Sequence, residues 1–458
     1  MYKLKITLLF LVCFCFFGVK AEEINYKKVK HLNLIDVIDL ALKNNPKVKQ
    51  AWLDVDVSNY SYKMEKSNYF PDINGEISYS KNKNKYDNTT IKSEDLTPAI
   101  TLSYLLFDFG GRESSVLMFK HKLQETKFET NNYIQNFIYD VVDAYYKVFS
   151  SIANEKASKE AENSSYEAFK AAKVRYDIGL APLTDKLQAE TSYMQKKLVR
   201  EQAENNVKIK KAELNYLLNL SPTTDLNLSA PYLTIPEKDF DENIESLFMI
   251  AVNNRADLKA YYENKASKKS EIYNARAERF PTISFKASYQ NVNDLEKGSR
   301  NDHDVYNVGL TASMPFFTGG SITNNVAKKK TELSIINQQI NDLEKDIELE
   351  VWEAYQNFTT AKKTYLTSET LLKSATETEK TMLGRYKNGK SSILDLLNAQ
   401  SDLATAKYEF ISAQHNWFIS KANLLKTLGQ IGVEELSSLN SATNKIDNNF
   451  NGKENAIN

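Results

Sequence analysis

Hydrophobic and polar positions along this chain switch between two periods, and the switch happens twice. From Asn33 to about Ser67 apolar residues recur at helical spacing, and Pro71 then forbids continuation of the helix. Ile73, Ile77 and Tyr79 next alternate with Asn74, Glu76 and Ser78, and Ile100, Leu102 and Tyr104 alternate with Thr101 and Ser103. That period of two predicts a pair of strands, joined by a polar loop near Asn82–Glu94. A long helical stretch follows, from about Glu113 to Tyr176, then a turn and a helix over 184–218. The second round predicts a helix over 243–278, closed by Pro281, and strands on Ile283, Phe285, Ala287 and Tyr289 and on Tyr306, Val308, Leu310, Ala312 and Met314. Their polar loop is expected near Asn291–Asp304, with helices over 321–386 and 393–428 beyond it.

The two rounds are copies of one unit. Ala41-Leu-Lys-Asn-Asn-Pro-Lys-Val48 reappears as Ala251-Val-Asn-Asn-Arg-Ala-Asp-Leu258, an offset of 251 − 41 = 210. The same offset carries Phe70-Pro71 onto Phe280-Pro281, Ala144-Tyr145 onto Ala354-Tyr355, Arg175-Tyr176 onto Arg385-Tyr386, and Asp185 onto Asp395. Around the pairs Gly110-Gly111 and Gly319-Gly320 the match slips to 209. A repeat of this length is a duplicated half-molecule rather than a solenoid unit.

Local signals mark the ends of the elements. Asn33 with Asp36 three residues on reads as a capping-box pair, and Asn243 with Ser246 holds the same places in the second copy. The glycine pairs read as sharp strand-to-helix turns, and Gly179 and Gly389 as left-handed helix caps. Asp185 and Asp395 fall in the first turns of the helices after those caps, where an acid complements the helix dipole. Each long helix would reach roughly 95–100 Å at 1.5 Å per residue. The shorter helices are near half that, so two of them end to end match one long helix and make a rod. Leu396, Leu403, Phe410, Trp417 and Leu424 recur every seven residues, beside a row of Ala399, Ala406, Ala413 and Ser420. A large row beside a small one is a coiled-coil seam.

Composition narrows the class. The 458 residues hold 59 Lys and Arg against 59 Asp and Glu, so no basic excess points to nucleic acid. Lys3 and Lys5 precede an apolar run over 6–17, too short to span a bilayer, and Val19-Lys20-Ala21 offers small residues for cleavage after Ala21. Val12 before Cys13 does not suit a lipoprotein signal. Both cysteines, Cys13 and Cys15, lie in this signal, which leaves no thiol chemistry to a mature chain. No later segment has 18 consecutive apolar residues. After Ile431 the chain is polar and Asn-rich, and 433–458 is expected to be disordered.

Chemistry is sparse. His31, His121, His303 and His415 have no partners at metal-ligand spacing, and no Walker-type loop, Gly-x-Ser-x-Gly or His-Glu-x-x-His occurs. No enzyme, cofactor or metal site is expected. The strands leave two readings open: half-buried strands in a soluble periplasmic coiled-coil scaffold or adaptor, or a barrel with apolar side chains toward lipid and polar ones toward water.

Several motifs occur in order: 33–46 (Asn-Leu-Ile-Asp-Val-Ile-Asp-Leu-Ala-Leu-Lys-Asn-Asn-Pro), Leu106-Phe-Asp-Phe-Gly-Gly-Arg112, Arg175-Tyr-Asp-Ile-Gly-Leu180, Pro315-Phe-Phe-Thr-Gly-Gly320 and Arg385-Tyr-Lys-Asn-Gly-Lys390. With them the chain resembles the TolC-like outer-membrane efflux proteins from about Asn33 to Ile431. The resemblance implies an α+β membrane protein and a homotrimer, with a twelve-stranded barrel in outer-membrane lipid continued by a helical periplasmic tunnel. It implies passive export with a periplasmic adaptor and an inner-membrane transporter as partners. The units expected are a signal at 1–21, a first repeat at 22–230 (hairpin 72–107, tip 177–183), a second repeat at 231–432 (hairpin 282–316, tip 387–392) and the tail. The resemblance places an adaptor contact at Ile178, Gly179, Leu180, Asn388, Gly389 and Lys390. It places an entrance gate at Tyr386, Asp185, Thr184 and Asp395, with Asp395 forming an acidic ring. The family's locking Arg falls on Ser391, so that lock is either missing or replaced by Lys390, and its second ring acid falls on Asn398. The second copy is expected to line the gate and the first to brace it.

Overall fold

The computed structural model describes residues 31–87, 89–231, 243–295 and 302–432; the expected signal and tail lie outside the described residues. The element order is α1 (Leu34–Asn44), α2 (Pro46–Ser67), β1 (Asp72–Tyr86), β2 (Thr89–Phe107), α3 (Gly111–Asp177) and α4 (Leu183–Leu217). The second copy gives α5 (Ile244–Asn254), α6 (Ala256–Ala277), β3 (Thr282–Asp294), β4 (His303–Ser313), α7 (Ser321–Lys387) and α8 (Ile393–Thr427). Every helix of the first copy starts and ends 210 positions before its counterpart.

That register holds through the glycine pairs, so the apparent slip to 209 is corrected. Gly110 and Gly320 are the N-caps of α3 and α7, with φ of 87° and 85°. One place earlier, Phe109 takes φ 54° where the second copy has Gly319 at 61°. A non-glycine residue accepts the left-handed conformation there, and the identity match to the neighbouring glycine is coincidental.

The helix expected to open each copy is in fact two. Asn45 is extended (φ −63°, ψ 124°) because the following Pro46 excludes it from helical space. Its side chain then caps α2 through Lys47 N–H at 2.9 Å and donates to the Leu217 carbonyl at 3.0 Å. The second copy breaks at Arg255 with no proline; there Asp257 and Glu350 hold the guanidinium. The capping box at Asn33 and Asp36 forms, with both bonds at 3.0 Å. Its counterpart does not: Asn243 makes no side-chain cap, and Ser246 Oγ donates to the Asn243 carbonyl instead.

The strands form one antiparallel sheet in the order β1-β2-β3-β4. β1 pairs with β2 from Asp72↔Ser103 to Tyr86↔Thr89, so the loop expected at Asn82–Glu94 is mostly strand. The second hairpin is shorter than expected, closing its ladder at Thr282↔Ser313. The register sorts the faces cleanly. One carries the rows Ile73-Leu102-Ala287-Val308 and Gly75-Ile100-Tyr289-Tyr306. The other carries Asn74-Thr101-Ser288-Asn307 and Glu76-Ala99-Gln290-Val305. The apolar face is bare: Ile77 is 75% exposed, Val308 76% and Leu310 70%. β1 and β4 each leave one edge unpaired.

The helices pack as long helices against shorter ones. α3, 67 residues and about 100 Å long, meets α6 along its first half and α4 along its second. Asn264 donates to Glu125 at 2.7 Å on the α6 side, and Arg200 pairs with Glu162 at 2.7 Å on the α4 side. α8 lies against both long helices, with Phe418 stacked on Tyr146 and Trp417 beside Phe358. Leu396, Trp417 and Leu424 are buried, as are Ala399, Ala406 and Ala413, so the seven-residue seam is real on both rows. The main core collects where α1 and α5 meet the long helices, around Val37, Val141, Tyr145, Leu247, Val351 and Leu424.

Candidate entrance at the helical tips

Both tips end in the same glycine motif. Gly179 N–H donates to the Tyr176 carbonyl at 2.9 Å and Leu180 N–H to that of Arg175 at 2.7 Å. Gly389 and Lys390 repeat this on Tyr386 and Arg385, both at 2.9 Å. φ is 78° at Gly179 and 69° at Gly389, a conformation that glycine adopts without steric cost.

The helices leaving the tips start differently. α8 has a capping box: Asp395 N–H donates to Ser392 Oγ at 3.1 Å, and Ser392 N–H donates to Asp395 Oδ2 at 3.0 Å. Ser391 Oγ adds a bond to the same oxygen at 3.4 Å. These bonds, Ser392's first, and the charge of Arg385 hold the Asp395 carboxyl below the usual carboxylate range. Asp395 is nevertheless exposed, as is Asn398 one turn on. α4 has Pro182 at its N-cap and no side-chain cap, with half-buried Asp185 in the first turn and Thr184 exposed beside it.

Tyr386 is buried at 3% exposure in a small core with Ala168 and Ala172 of α3, Ala189 of α4, and Ile393 and Leu396 of α8. Its hydroxyl has no protein partner among the described residues, and burial pushes the phenol's pKa up. Asp185 is near enough to add to that rise, yet no hydrogen bond joins the two.

Of the expected gate residues, then, the structure brings Tyr386 and Asp185 near each other and commits Ser391 to its own helix cap. Lys390 is exposed. The cation at Tyr386 is Arg175, a residue that the sequence placed in the repeat and in a family motif but gave no gate role. Its Nη1 donates to the Tyr386 carbonyl at 3.2 Å, and its guanidinium lies over the Tyr386 ring, 5.3 Å from the centroid. The signal available was an Arg in a last helical turn, which suits open carbonyls. That the carbonyl belongs to the other copy is a tertiary fact.

The tips also differ in surface. Ile178 and Leu180 are 63% and 67% exposed, whereas Asn388, Gly389 and Lys390 present a polar turn. A cavity of about 900 Å³ lies between the copies, lined by Ser164, Glu167, Arg175, Leu383, Tyr386 and Gln400 among others. None of the four histidines joins a metal cluster, and no group of three or more His, Cys, Asp or Glu among the described residues suits one. His121 pairs with Glu263 at 2.7 Å, and His415 packs beside Asp143 at 3.8 Å. No helix among the described residues is long and apolar enough to cross a membrane.

Comparison with known proteins agrees with this architecture. The family model described as outer membrane efflux protein matches twice, at residues 37–220 and 247–430, the same 210-residue offset. Outer membrane protein TolC of Salmonella enteritidis is 21% identical over 427 residues, covering 90% of this chain and 85% of that protein. Outer membrane efflux protein BepC of Brucella suis is 22% identical over 400 residues, covering 86% and 85%. The CmeC outer membrane channel of Campylobacter jejuni superposes with a TM-score of 0.75 at 20% identity, covering 89% of each chain. With its duplicated unit, bare-faced sheet and long helical hairpins, the chain belongs to the outer membrane efflux protein family, the TolC-like exit ducts of the Gram-negative outer membrane that serve efflux and type I secretion.

Proposed function

We propose that three copies of this chain close into one duct, with a twelve-stranded barrel in the outer membrane and the helices as a periplasmic tunnel. The observation that carries this reading is the four-stranded sheet, with its two unpaired edges and exposed apolar face. A sheet in that state is unstable alone, and joining edges to neighbouring copies while facing lipid resolves both defects. Exposed apolar stripes on the helices support the same assembly. Leu53, Val57, Tyr60 and Met64 on α2 follow coiled-coil spacing and are 61–68% exposed.

In this duct the tips form the periplasmic entrance. The α7–α8 pair lines it, and the α3–α4 pair braces it through Arg175. Asp395, exposed and readily ionised, gives an acidic ring under three-fold symmetry that draws cations to the constriction. Ile178 and Leu180 offer an apolar contact for a periplasmic adaptor, which links the duct to an inner-membrane transporter. Substrates pass without chemical change.

Planar-bilayer recording tests the entrance. Asp395→Ala should change single-channel conductance at low salt and weaken block by divalent cations. Unchanged conductance and block would remove Asp395 from the entrance.

A further inference from the structure

The apolar rows of the sheet do not end in a polar loop. β1 continues past Tyr79 for seven residues, still paired with β2. Alternation along a strand puts Lys81, Lys83 and Lys85 on the same outward face as Ile73, Ile77 and Tyr79. The cross-strand partner of Lys83 is Lys92, so that face gains a fourth lysine. The inward face over the same stretch holds Ser80, Asn82 and Asn84.

Only one of these charges is answered within the hairpin. Glu94 sits opposite Lys81, pairs with it at 2.6 Å and also accepts from the Tyr79 hydroxyl at 2.8 Å. Among the described residues Lys83, Lys85 and Lys92 have no ion pair, and all three are exposed. Lys83 directly opposite Lys92 is a like-charge pair, which destabilises a hairpin unless an anion lies between. The second hairpin differs at the corresponding height: outward positions there hold Asn291 and Asp304, and the latter accepts from Tyr289.

Height decides what the anion is. Tyr79 and Tyr289 mark the end of the apolar band, where aromatic side chains of barrels meet the membrane surface. Lys81 and Lys83 lie two and four residues beyond, roughly 7 and 13 Å along the strand. A strand tilt of about 40° lowers Lys83 to roughly 10 Å above the band, and the lysine stem reaches back toward the headgroups. The helices leave from the opposite end of the sheet, so this end faces the exterior.

We propose that the outward face of the first hairpin docks the phosphate groups of anionic lipids in the outer leaflet, through Lys83, Lys85 and Lys92. This rests on the apolar sheet face meeting lipid. The docking fixes the depth of the barrel and neutralises the Lys83–Lys92 repulsion.

The test uses the purified full chain in neutral detergent, with diphosphoryl lipid A, phosphatidylethanolamine or inorganic phosphate as probes and bound lipid counted by native mass spectrometry. Wild type should retain lipid A in preference to phosphatidylethanolamine, and millimolar phosphate should not displace it. At about fivefold per lysine near an anionic surface, the K83Q/K85Q/K92Q variant should lose at least tenfold in lipid A retention. Its membrane fractionation and assembly size should stay as in wild type. Full retention of lipid A by the variant would overturn the proposal, as would equal retention of the two lipids or displacement by free phosphate. Loss of membrane fractionation by wild type itself would instead overturn the barrel reading.

Discussion

Removing Arg175 should loosen the entrance. Its guanidinium makes a hydrogen bond to the Tyr386 carbonyl at 3.2 Å and a face contact with the Tyr386 ring at 5.3 Å. A hydrogen bond from a charged donor contributes about 1.5 kcal/mol at the low end of its range. A cation over an aromatic ring at a partly exposed site adds about 0.5–1 kcal/mol. Together, about 2 kcal/mol ties the end of α3 to the end of α7. If opening separates the α7–α8 pair from the α3–α4 pair, Arg175→Ala shifts the closed-to-open ratio by roughly thirtyfold, since 1.4 kcal/mol is a factor of ten. Planar-bilayer recording reads this as more frequent or longer openings. Arg175→Lys should be intermediate, because a point charge keeps attraction to the carbonyl and loses the planar fork. Tyr386→Leu removes the ring contact alone, and the double variant should show coupling of less than about 1 kcal/mol. An Arg175→Ala protein with wild-type melting and wild-type open fraction would refute the reasoning.

Three further outcomes follow. Divalent block through Asp395 should persist as pH falls to the ordinary carboxylate range and fade only below it, because the folded carboxyl titrates low; a block that fades at pH 6 would contradict the assignment. Burial pushes the His415 imidazole's pKa down against the opposing pull of Asp143, so the folded state resists protonation. Stability is then full above about pH 6.5, where the unfolded imidazole is neutral, and falls as pH drops toward the lower folded value; His415→Gln should flatten that slope in melting curves. A cysteine at Leu180, in a chain whose only cysteines lie in the expected signal, should cross-link to an adaptor in cells, and one at exposed Tyr306 on the lipid face should not.

Much of the fold was legible because it is written in period and punctuation. Pro71 and Pro281 stop helices, Gly179 and Gly389 cap them, and the seam through Leu396 and Trp417 announces its partner helices. The misses have separate causes. The outer half of β1 reads as loop because its outward positions are lysines, yet its ladder with β2 persists. The break at Arg255 has no proline to signal it, and one partner of its guanidinium, Glu350, lies 95 residues away. Phe109 hides the register of the strand-to-helix turns by adopting a glycine-like conformation. For the proposed entrance, the family resemblance named Tyr386 and Asp395. It gave no gate role to Arg175, whose contact with Tyr386 exists only once the two copies pack.

The most direct test of the duct is where the protein resides and how many copies it takes to build it. Cell fractionation followed by detergent sizing with light scattering should find the protein in the outer-membrane fraction, at the mass of three chains once detergent is subtracted. A monomer of about 50 kDa released by osmotic shock would contradict the account.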